Sequence, residues 1–181
     1  MTNQETTELS RIIRARQYRI FSRRGWISLV FRILLLILLF SLLFSQVFLI
    51  CQLQGSGMYP SMKDGDLLFG YRLQKDFKSN DVVIYTQEGR TLLGRVVARA
   101  GDYVDFDGEG KFFVNGGLQT GEILYPTDPG ENTSYPLQVP KGCVYVLGDY
   151  RTQTLDSRDF GPIPIDQIDG KLIGFLRRRG L

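Results

Sequence analysis

The sequence predicts a mainly β domain that follows one N-terminal transmembrane helix. Two observations favour this fold class. Residues 27–50 form a long apolar run, whereas the later apolar residues come in short runs bounded by glycine, proline, asparagine and aspartate. Short runs with such boundaries are typical of β-strands. The length of 181 residues is enough for one folded domain beside the helix.

The first predicted element is the membrane span over residues 27–50. A helix of these 24 residues rises about 36 Å, which exceeds a bilayer core of about 30 Å. Trp26 and Arg32 lie near its start, at a depth where their side chains reach the headgroups. No small-residue cleavage site follows the span, and Ile50 rather than a small residue precedes Cys51. We therefore predict a retained anchor, with Cys51 as a small apolar residue at the helix end.

Charge is divided unevenly along the chain and predicts the orientation of the anchor. Six arginines and two glutamates give residues 1–26 a net charge of +4, and residues 51–181 carry 15 basic against 17 acidic residues. With Arg32 in the span, the total is the formal net charge of +3. The positive-inside rule then places the tail (1–26) in the cytoplasm and the domain (51–181) outside the cell membrane. Because the domain is not basic, we expect no nucleic-acid partner.

The scarce residue types exclude several kinds of site. The chain has no histidine, and its two cysteines are Cys51 and Cys143. Ser-His and Cys-His nucleophile pairs, histidine zinc motifs and four-cysteine metal sites are therefore excluded. We expect neither a metal ion nor a cofactor.

Seven short runs after the anchor are predicted to be strands, from their apolar, aromatic and β-branched content. The turn sequence DGEG at residues 107–110 predicts a hairpin. Residues 117–140 are rich in turn-forming residues and are predicted to form a long connection or a small excursion. The predicted strands are residues 67–73, 81–86, 91–97, 103–106, 111–115, 143–148 and 171–176.

Four segments of the domain follow the order of a known set of motifs. GSGMYPSMKDGD (55–66) resembles G-x-S-M-x-P-[ST]-[LM]-x-x-G-D, and SNDVVIY (79–85) resembles R-G-D-[IV]-V-x-[FY]. GRVVARAGDYV (94–104) resembles K-R-V-[IV]-G-x-P-G-D-x-[VI]. VPKGCVYVLGDYRTQTLDSRDFGPI (139–163) resembles V-P-x-G-x-x-[FY]-V-[LM]-G-D-N-R-x-N-S-x-D-S-R-x-[FY]-G. These motifs belong to the type I signal peptidases of Gram-positive bacteria, and the resemblance implies their β fold.

The resemblance fails at the two positions where that family carries its catalytic groups. The family cleaves signal peptides with a serine directly before the methionine of the first motif, and a neutral lysine that opens the third motif is the general base. Here Gly57 precedes Met58, and Gly94 precedes Arg95. Ser56 is one residue away, so in an extended segment its side chain points to the opposite face. We therefore predict that the chain is not an enzyme.

The scaffold residues of the motifs persist. The family pairs the aspartate of G-D-N-R with the arginine after the lysine, which implies an ion pair of Asp149 with Arg95. The D-S-R motif implies a second structural pair, Asp156 with Arg158. Thr154 aligns with the serine that hydrogen-bonds the lysine amine, so its hydroxyl has lost that partner. Three departures from the motifs are expected to crowd the former active site: Tyr150, Arg99 and Ala100.

The family binds its substrate as an added β-strand, and main-chain pairing of this kind needs no catalytic side chain. The corresponding segments are residues 52–57 and 91–95. Binding can therefore persist where cleavage is lost. The residues expected at this peptide-binding edge are Gly55, Ser56, Met58, Leu92 and Leu93.

Three functions remain open. The favoured one is a non-catalytic assembly factor, because signal-peptidase-like proteins of this kind accompany pilin subunits and their sortases in Gram-positive bacteria and assist polymerisation of the pilus shaft. The second is an inactive partner that regulates an active signal peptidase or presents preproteins to it. The third is an authentic signal peptidase with displaced catalytic groups, or with Gly57 introduced by substitution. The third ranks last, since Gly94 needs a second change.

Overall fold

The computed structural model describes residues 3–119, 125–130 and 133–177, with side chains from Gly25 onward. The chain divides into two compact units, Met1–Ser45 and Gln46–Leu181. Because side chains are described only from Gly25 onward, those of most of the predicted basic tail (residues 1–26) lie outside the described part.

The first unit consists of helix α1 (Asn3–Val47). Its stretch Gly25–Val47 has a mean hydropathy of 2.8, and none of it is buried. By length and composition, this stretch is able to cross a membrane. The helix ends three residues before the predicted end of the span at residue 50.

The residues directly after α1 form strand β1 (Phe48–Gln52), which we had predicted to be the end of the helix. Strand β1 pairs in antiparallel fashion with β2 (Leu67–Tyr71), so that Phe48 lies opposite Tyr71 and Cys51 opposite Leu68. The interpretation of Cys51 as a helix-end residue was therefore wrong. A short apolar run suits a helix and a strand equally well, and the edge of β2 supplies the hydrogen-bond partners that decide for the strand.

Seven strands form one antiparallel sheet in the order β1-β2-β11-β3-β4-β9-β10. Five of the predicted strands belong to it, and β1 and the two-residue β10 were not predicted. Its remaining members are β3 (Val82–Gln87), β4 (Arg90–Arg99), β9 (Cys143–Leu147), β10 (Ile163–Pro164) and β11 (Ile168–Leu176).

A smaller sheet of four strands has the order β7-β6-β5-β8. Its strands are β5 (Tyr103–Phe106), β6 (Phe112–Val114), β7 (Gly117–Leu118) and β8 (Leu137–Gln138). The predicted hairpin is confirmed, because β5 and β6 pair in antiparallel fashion across residues 107–111. The predicted excursion begins at β7 and ends just after β8. The mainly β fold with one N-terminal apolar helix is thus confirmed.

The core lies on both faces of the large sheet, because alternate residues of a strand point to opposite faces. On one face, Val96 and Val146 belong to a cluster with Tyr85 and Ile168. On the other face, neighbouring residues of β4 and β9 pack against the small sheet through Val104 and Phe112. The rest of that second face, through Ile84 and Leu93, packs against the segment after β1, whose anchors are Leu53, Met58 and Met62.

A buried ion pair closes the domain after β9. Asp156 is completely buried, and both of its oxygens accept hydrogen bonds from the Arg158 guanidinium, at 2.9 Å each. Asp156 also accepts the backbone N–H groups of Gly148 and Arg158, and it caps the short helix α2 (Ser157–Phe160). Burial opposes the charge of Arg158, but the hydrogen bonds to Asp156 raise its pKa above the ordinary value. The carboxylate therefore has four donors in a site without solvent.

The Asp156→Ala substitution should lower the free energy of unfolding by about 3–5 kcal/mol, because it leaves the Arg158 charge buried and unpaired. Urea unfolding of the full chain in detergent micelles, followed by circular dichroism, measures this loss. Glu109→Ala, which removes the exposed pair of Glu109 with Lys111, should leave the midpoint unchanged. Equal midpoints for the two variants would show that the buried pair does not stabilise the domain.

Candidate functional site

A groove of about 180 Å³ lies where the first motif passes the N-terminal half of β4. The structure brings together in it all five residues that we expected at the peptide-binding edge. The residues that line the groove are Leu53, Gln54, Gly55, Ser56, Gly57, Met58, Leu92, Leu93, Gln153, Thr154 and Leu155.

The strand at the floor of the groove has a free edge. One edge of β4 pairs with β3 from Arg90 to Arg95, whereas the other edge pairs with β9 only from Arg95 to Arg99. Within the described residues, that second edge has no strand partner over residues 91–94. An extended peptide can therefore pair with it through main-chain hydrogen bonds alone.

The position of Gly57 is fixed by its neighbours on both sides. Met58 is fully buried in the core, and the carbonyl of Gly57 accepts the backbone N–H of Tyr150 at 2.9 Å. A Cβ atom added at Gly57 would lie 2.9 Å from Oγ1 of Thr154. The Thr154 hydroxyl thus occupies the space next to the position where the family carries its serine, while Ser56 is exposed.

Neighbouring atoms leave less space for a side chain at Gly94 than at Gly57. A Cβ atom added there would lie 2.4 Å from Cγ1 of Val146 and 3.3 Å from the carbonyl oxygen of Leu147. Val146 is fully buried and branched at Cβ, so it has little freedom to move aside. A lysine side chain at residue 94 is therefore excluded unless the packing of β9 changes.

The groove contains no acid or base among its eleven lining residues. Its hydroxyls belong to Ser56 and Thr154, and no lysine, arginine, aspartate or glutamate reaches its surface. In the described part of the chain, no group of three or more cysteine, aspartate or glutamate side chains could hold a metal ion. These lining residues offer hydrogen-bond partners and apolar contacts to a ligand.

Arg95 and Asp149 form an ion pair beside the groove. Nε and Nη2 of Arg95 donate to the two carboxylate oxygens of Asp149 at 2.9 and 2.8 Å. The hydrogen bonds to Asp149 raise the pKa of Arg95 above its ordinary value. The Ser61 hydroxyl donates to Asp149 at 2.7 Å, so the carboxylate also holds the end of the first motif. Because the charges of Arg95 and Asp149 are paired with each other, this contact has the geometry of a structural ion pair.

One loop contributes residues to most of the contacts described above. We call residues 148–156, which join β9 to α2, the site loop. Tyr150 of the site loop lies with its ring centroid 5.9 Å from that of Tyr59 in the first motif and 4.6 Å from that of Tyr125 in the excursion. The expectation that Tyr150 crowds the former active site stays a prediction, because Tyr150 is not among the residues that line the groove.

The same expectation was wrong for Arg99 and Ala100. These residues line a different cavity of about 330 Å³, together with Cys143 and Ile165. Arg99 lies five residues beyond Gly94 on β4, which places it about 16 Å further along the strand. Its motif position is close to the catalytic one in sequence, but an extended strand separates the two in space.

Sequence analysis did not single out two residues that the structure brings to the site. Val146 closes the space at Gly94, and its only signal was its place in an apolar strand. Arg151 is 4% exposed and donates hydrogen bonds to Thr127 and Gln119 of the excursion. In the sequence, Arg151 stands at the arginine position of the G-D-N-R motif, and the motif predicts no partner for this arginine.

Comparison with known proteins places this fold and groove in a family. A family model described as signal peptidase, peptidase S26, matches residues 23–176. Signal peptidase IB of Staphylococcus aureus is 31% identical over 141 residues, which cover 66% of this chain and 73% of that protein.

This chain covers very different shares of two further proteins. Thylakoidal processing peptidase 1 of the Arabidopsis thaliana chloroplast is 32% identical over 135 residues, and the chain spans only 39% of its length. A crystal structure of a signal peptidase I from Enterococcus faecalis V583 aligns with a TM-score of 0.44 and 23% identity, covering 54% of this chain and 97% of that one. On the family match and the Staphylococcus aureus relative, this chain belongs to the S26 family of signal peptidases.

Proposed function

We propose that this chain is a membrane-anchored, non-catalytic member of the S26 family that binds extended peptide segments and assists a sortase in polymerising pilin subunits. The observation that carries the proposal is the combination of a groove with a free strand edge and two glycines, Gly57 and Gly94, at the catalytic positions. The fold supports binding, and the missing side chains remove the chemistry.

The expected loss of catalytic rate is large enough to favour a binding protein over an enzyme. Removing the nucleophile or the base of a serine hydrolase costs on the order of 10⁶ in rate, and removing both costs little more. A lysine base needs its pKa lowered from about 10.4 to near 7, and glycine has no group to titrate. Since no acid or base lines the groove, no other described side chain is placed to supply the missing function.

The free edge of β4 supports binding of an extended segment. A bound strand over residues 91–94 would form main-chain hydrogen bonds, and its alternate side chains would meet Leu53, Met58 and Leu93. Recognition of this kind tolerates different sequences, because the main chain supplies most of the hydrogen bonds. A groove of this type can accept an extended segment of a pilin subunit without a dedicated sequence motif.

The choice of pilins and a sortase as partners rests on the resemblance to signal-peptidase-like proteins that accompany them. The other candidate, an adaptor that binds preproteins or an active signal peptidase, would use the same groove. The two differ in the protein that contacts Ser56, which is exposed at the groove surface.

The first prediction concerns restoration of the catalytic pair. The double variant Gly57→Ser and Gly94→Lys should remain inactive, because Val146 blocks the side chain at residue 94. Overpacking at this site should also lower the free energy of unfolding by about 1–3 kcal/mol. The control is Gly174→Ala, since a Cβ at Gly174 meets no atom within 4 Å. Efficient preprotein cleavage by the double variant, at unchanged stability, would contradict this account of the site.

The second prediction concerns the membrane. The helix stretch Gly25–Val47 should anchor the chain, with residues 1–26 inside and the β domain outside. Protease added to intact protoplasts should digest the β domain and spare an epitope tag at the N-terminus. Digestion of the tag with protection of the domain would reverse the proposed orientation.

The third prediction tests the function with two substitutions of one residue. In cells that lack the native gene, Ser56→Ala should restore the ladder of pilin polymers in cell-wall extracts, because no hydroxyl chemistry is needed. Ser56→Trp should shorten the ladder, because the indole fills the groove beside Gly55 and Leu92. Ser79→Trp, at an exposed residue that does not line the groove, is the matched control and should restore the ladder.

A photo-crosslinking residue at position 56 identifies the partner in the same cells. Its adduct should contain a pilin subunit. An adduct with preproteins or an active signal peptidase, together with a normal ladder in the Ser56→Trp variant, would favour the adaptor function and contradict the pilus proposal. Loss of the ladder in Ser56→Ala at normal protein abundance would contradict the non-catalytic account.

A further inference from the structure

Among the residues that the structure describes, the buried cation Arg151 has no carboxylate partner. It is 4% exposed, and in the described part of the chain no aspartate or glutamate accepts a hydrogen bond from its guanidinium. Its Nε has no hydrogen-bond partner there. Desolvation lowers the pKa of Arg151 to about 10, so the group stays charged at neutral pH at a cost in stability.

Both acceptors of Arg151 lie on the excursion, residues 117–140. Nη1 donates to Oγ1 of Thr127 at 3.0 Å, and Nη2 donates to Oε1 of Gln119 at 3.1 Å. Thr127 is itself buried. The guanidinium therefore joins two separated points of the excursion in one planar fork.

The backbone of Arg151 is tied into the site loop. Its N–H donates to the carbonyl of Asp149 at 3.2 Å, and its carbonyl accepts Nη2 of Arg158 at 2.6 Å. Arg158 also pairs with Asp156 at the end of the site loop, and Asp149 lies near its start. A displacement of Arg151 would therefore also displace residues near both ends of the site loop.

The site loop forms one wall of the groove. Gln153, Thr154 and Leu155 line it, and the backbone N–H of Tyr150 holds the carbonyl of Gly57 on the opposite wall. The separation of the two walls therefore depends on the position of the loop.

We propose that Arg151 is a positioning residue for the groove, which holds the site loop against the excursion in the conformation that receives a peptide. The effect on the site loop is independent of any ligand, and only the effect on peptide affinity rests on the proposed function. The competing explanation is that Arg151 only stabilises the core. The two explanations predict different results, because a positioning role requires the groove and its peptide affinity to change, whereas a purely stabilising role changes only the free energy of unfolding.

Amide hydrogen exchange of the full chain in detergent micelles tests the ligand-free part. Arg151→Met should speed exchange of residues 149–155 by about tenfold, since hydrogen bonds from a charged donor are lost. Thr127→Val, which removes one acceptor from the fork with little change of shape, should have a smaller effect at the same residues. Thr86→Val makes the same chemical change on β3, where Thr86 bonds Asp169, and should leave the site loop unchanged. Unaltered exchange of the site loop in both Arg151→Met and Thr127→Val would overturn the proposal.

Peptide affinity provides the readout that a purely stabilising role would not move. The probe is a fluorescein-labelled peptide of ten residues that alternates valine and serine, measured by fluorescence polarisation. Arg151→Met and Arg151→Lys should each bind it about tenfold more weakly, at a temperature where circular dichroism shows both variants to be fully folded. Lysine keeps the charge but cannot form the fork, so full rescue by Arg151→Lys would overturn the proposal.

The two experiments separate this proposal from the proposed function. If the unaltered chain does not bind the peptide, the peptide-binding function fails, and the exchange of the site loop alone then decides the role of Arg151. If the unaltered chain binds and Arg151→Met binds equally well, the positioning role fails and the proposed function stands.

Discussion

The buried carboxylate of Asp156 fixes the part of the domain on which the groove depends. Its four donors come from Arg158 and from the backbone of Gly148 and Arg158, so it ties the end of β9 to the start of α2. The site loop between these two points has little freedom once both ends are held. The wall of the groove that contains Thr154 and Leu155 therefore depends on a buried ion pair that is not among the lining residues of the groove.

The same framework explains how the proposed peptide site can persist without the side chains that the family uses for catalysis. The main-chain edge of β4 and the apolar side chains of Leu53 and Met58 depend on core packing rather than on the catalytic groups. At the two catalytic positions, the structure has Thr154 beside Gly57 and Val146 against Gly94. The space that a lysine would need belongs to the core, so the groove floor is a packed surface.

The sequence predicted the fold class and the content of the groove, because both depend on local patterns. Short runs of apolar, aromatic and β-branched residues predicted the long strands, and the family's mode of substrate binding implied that residues 52–57 and 91–95 lie at one edge. The short strands β1, β7, β8 and β10 could not be predicted, because their pairing depends on neighbours that are distant in sequence. The lack of space for a side chain at Gly94 depends on the face of β9 that Val146 occupies. The expectation that Arg99 lies at the former active site was wrong because residues close in sequence were taken to be close in space. The buried fork of Arg151 needs the fold of the excursion, which no periodicity predicts.

The most direct test of the central claim is preprotein cleavage by the purified full-length chain, with the products identified by mass spectrometry. Signal peptidase IB of Staphylococcus aureus serves as the active comparison under the same conditions. We expect the preprotein to remain intact with this chain, because Gly57 and Gly94 supply neither nucleophile nor base. Cleavage at the signal-peptide site that persists in the Ser56→Ala variant would contradict the account, since a catalytic group outside the groove described here would then be at work.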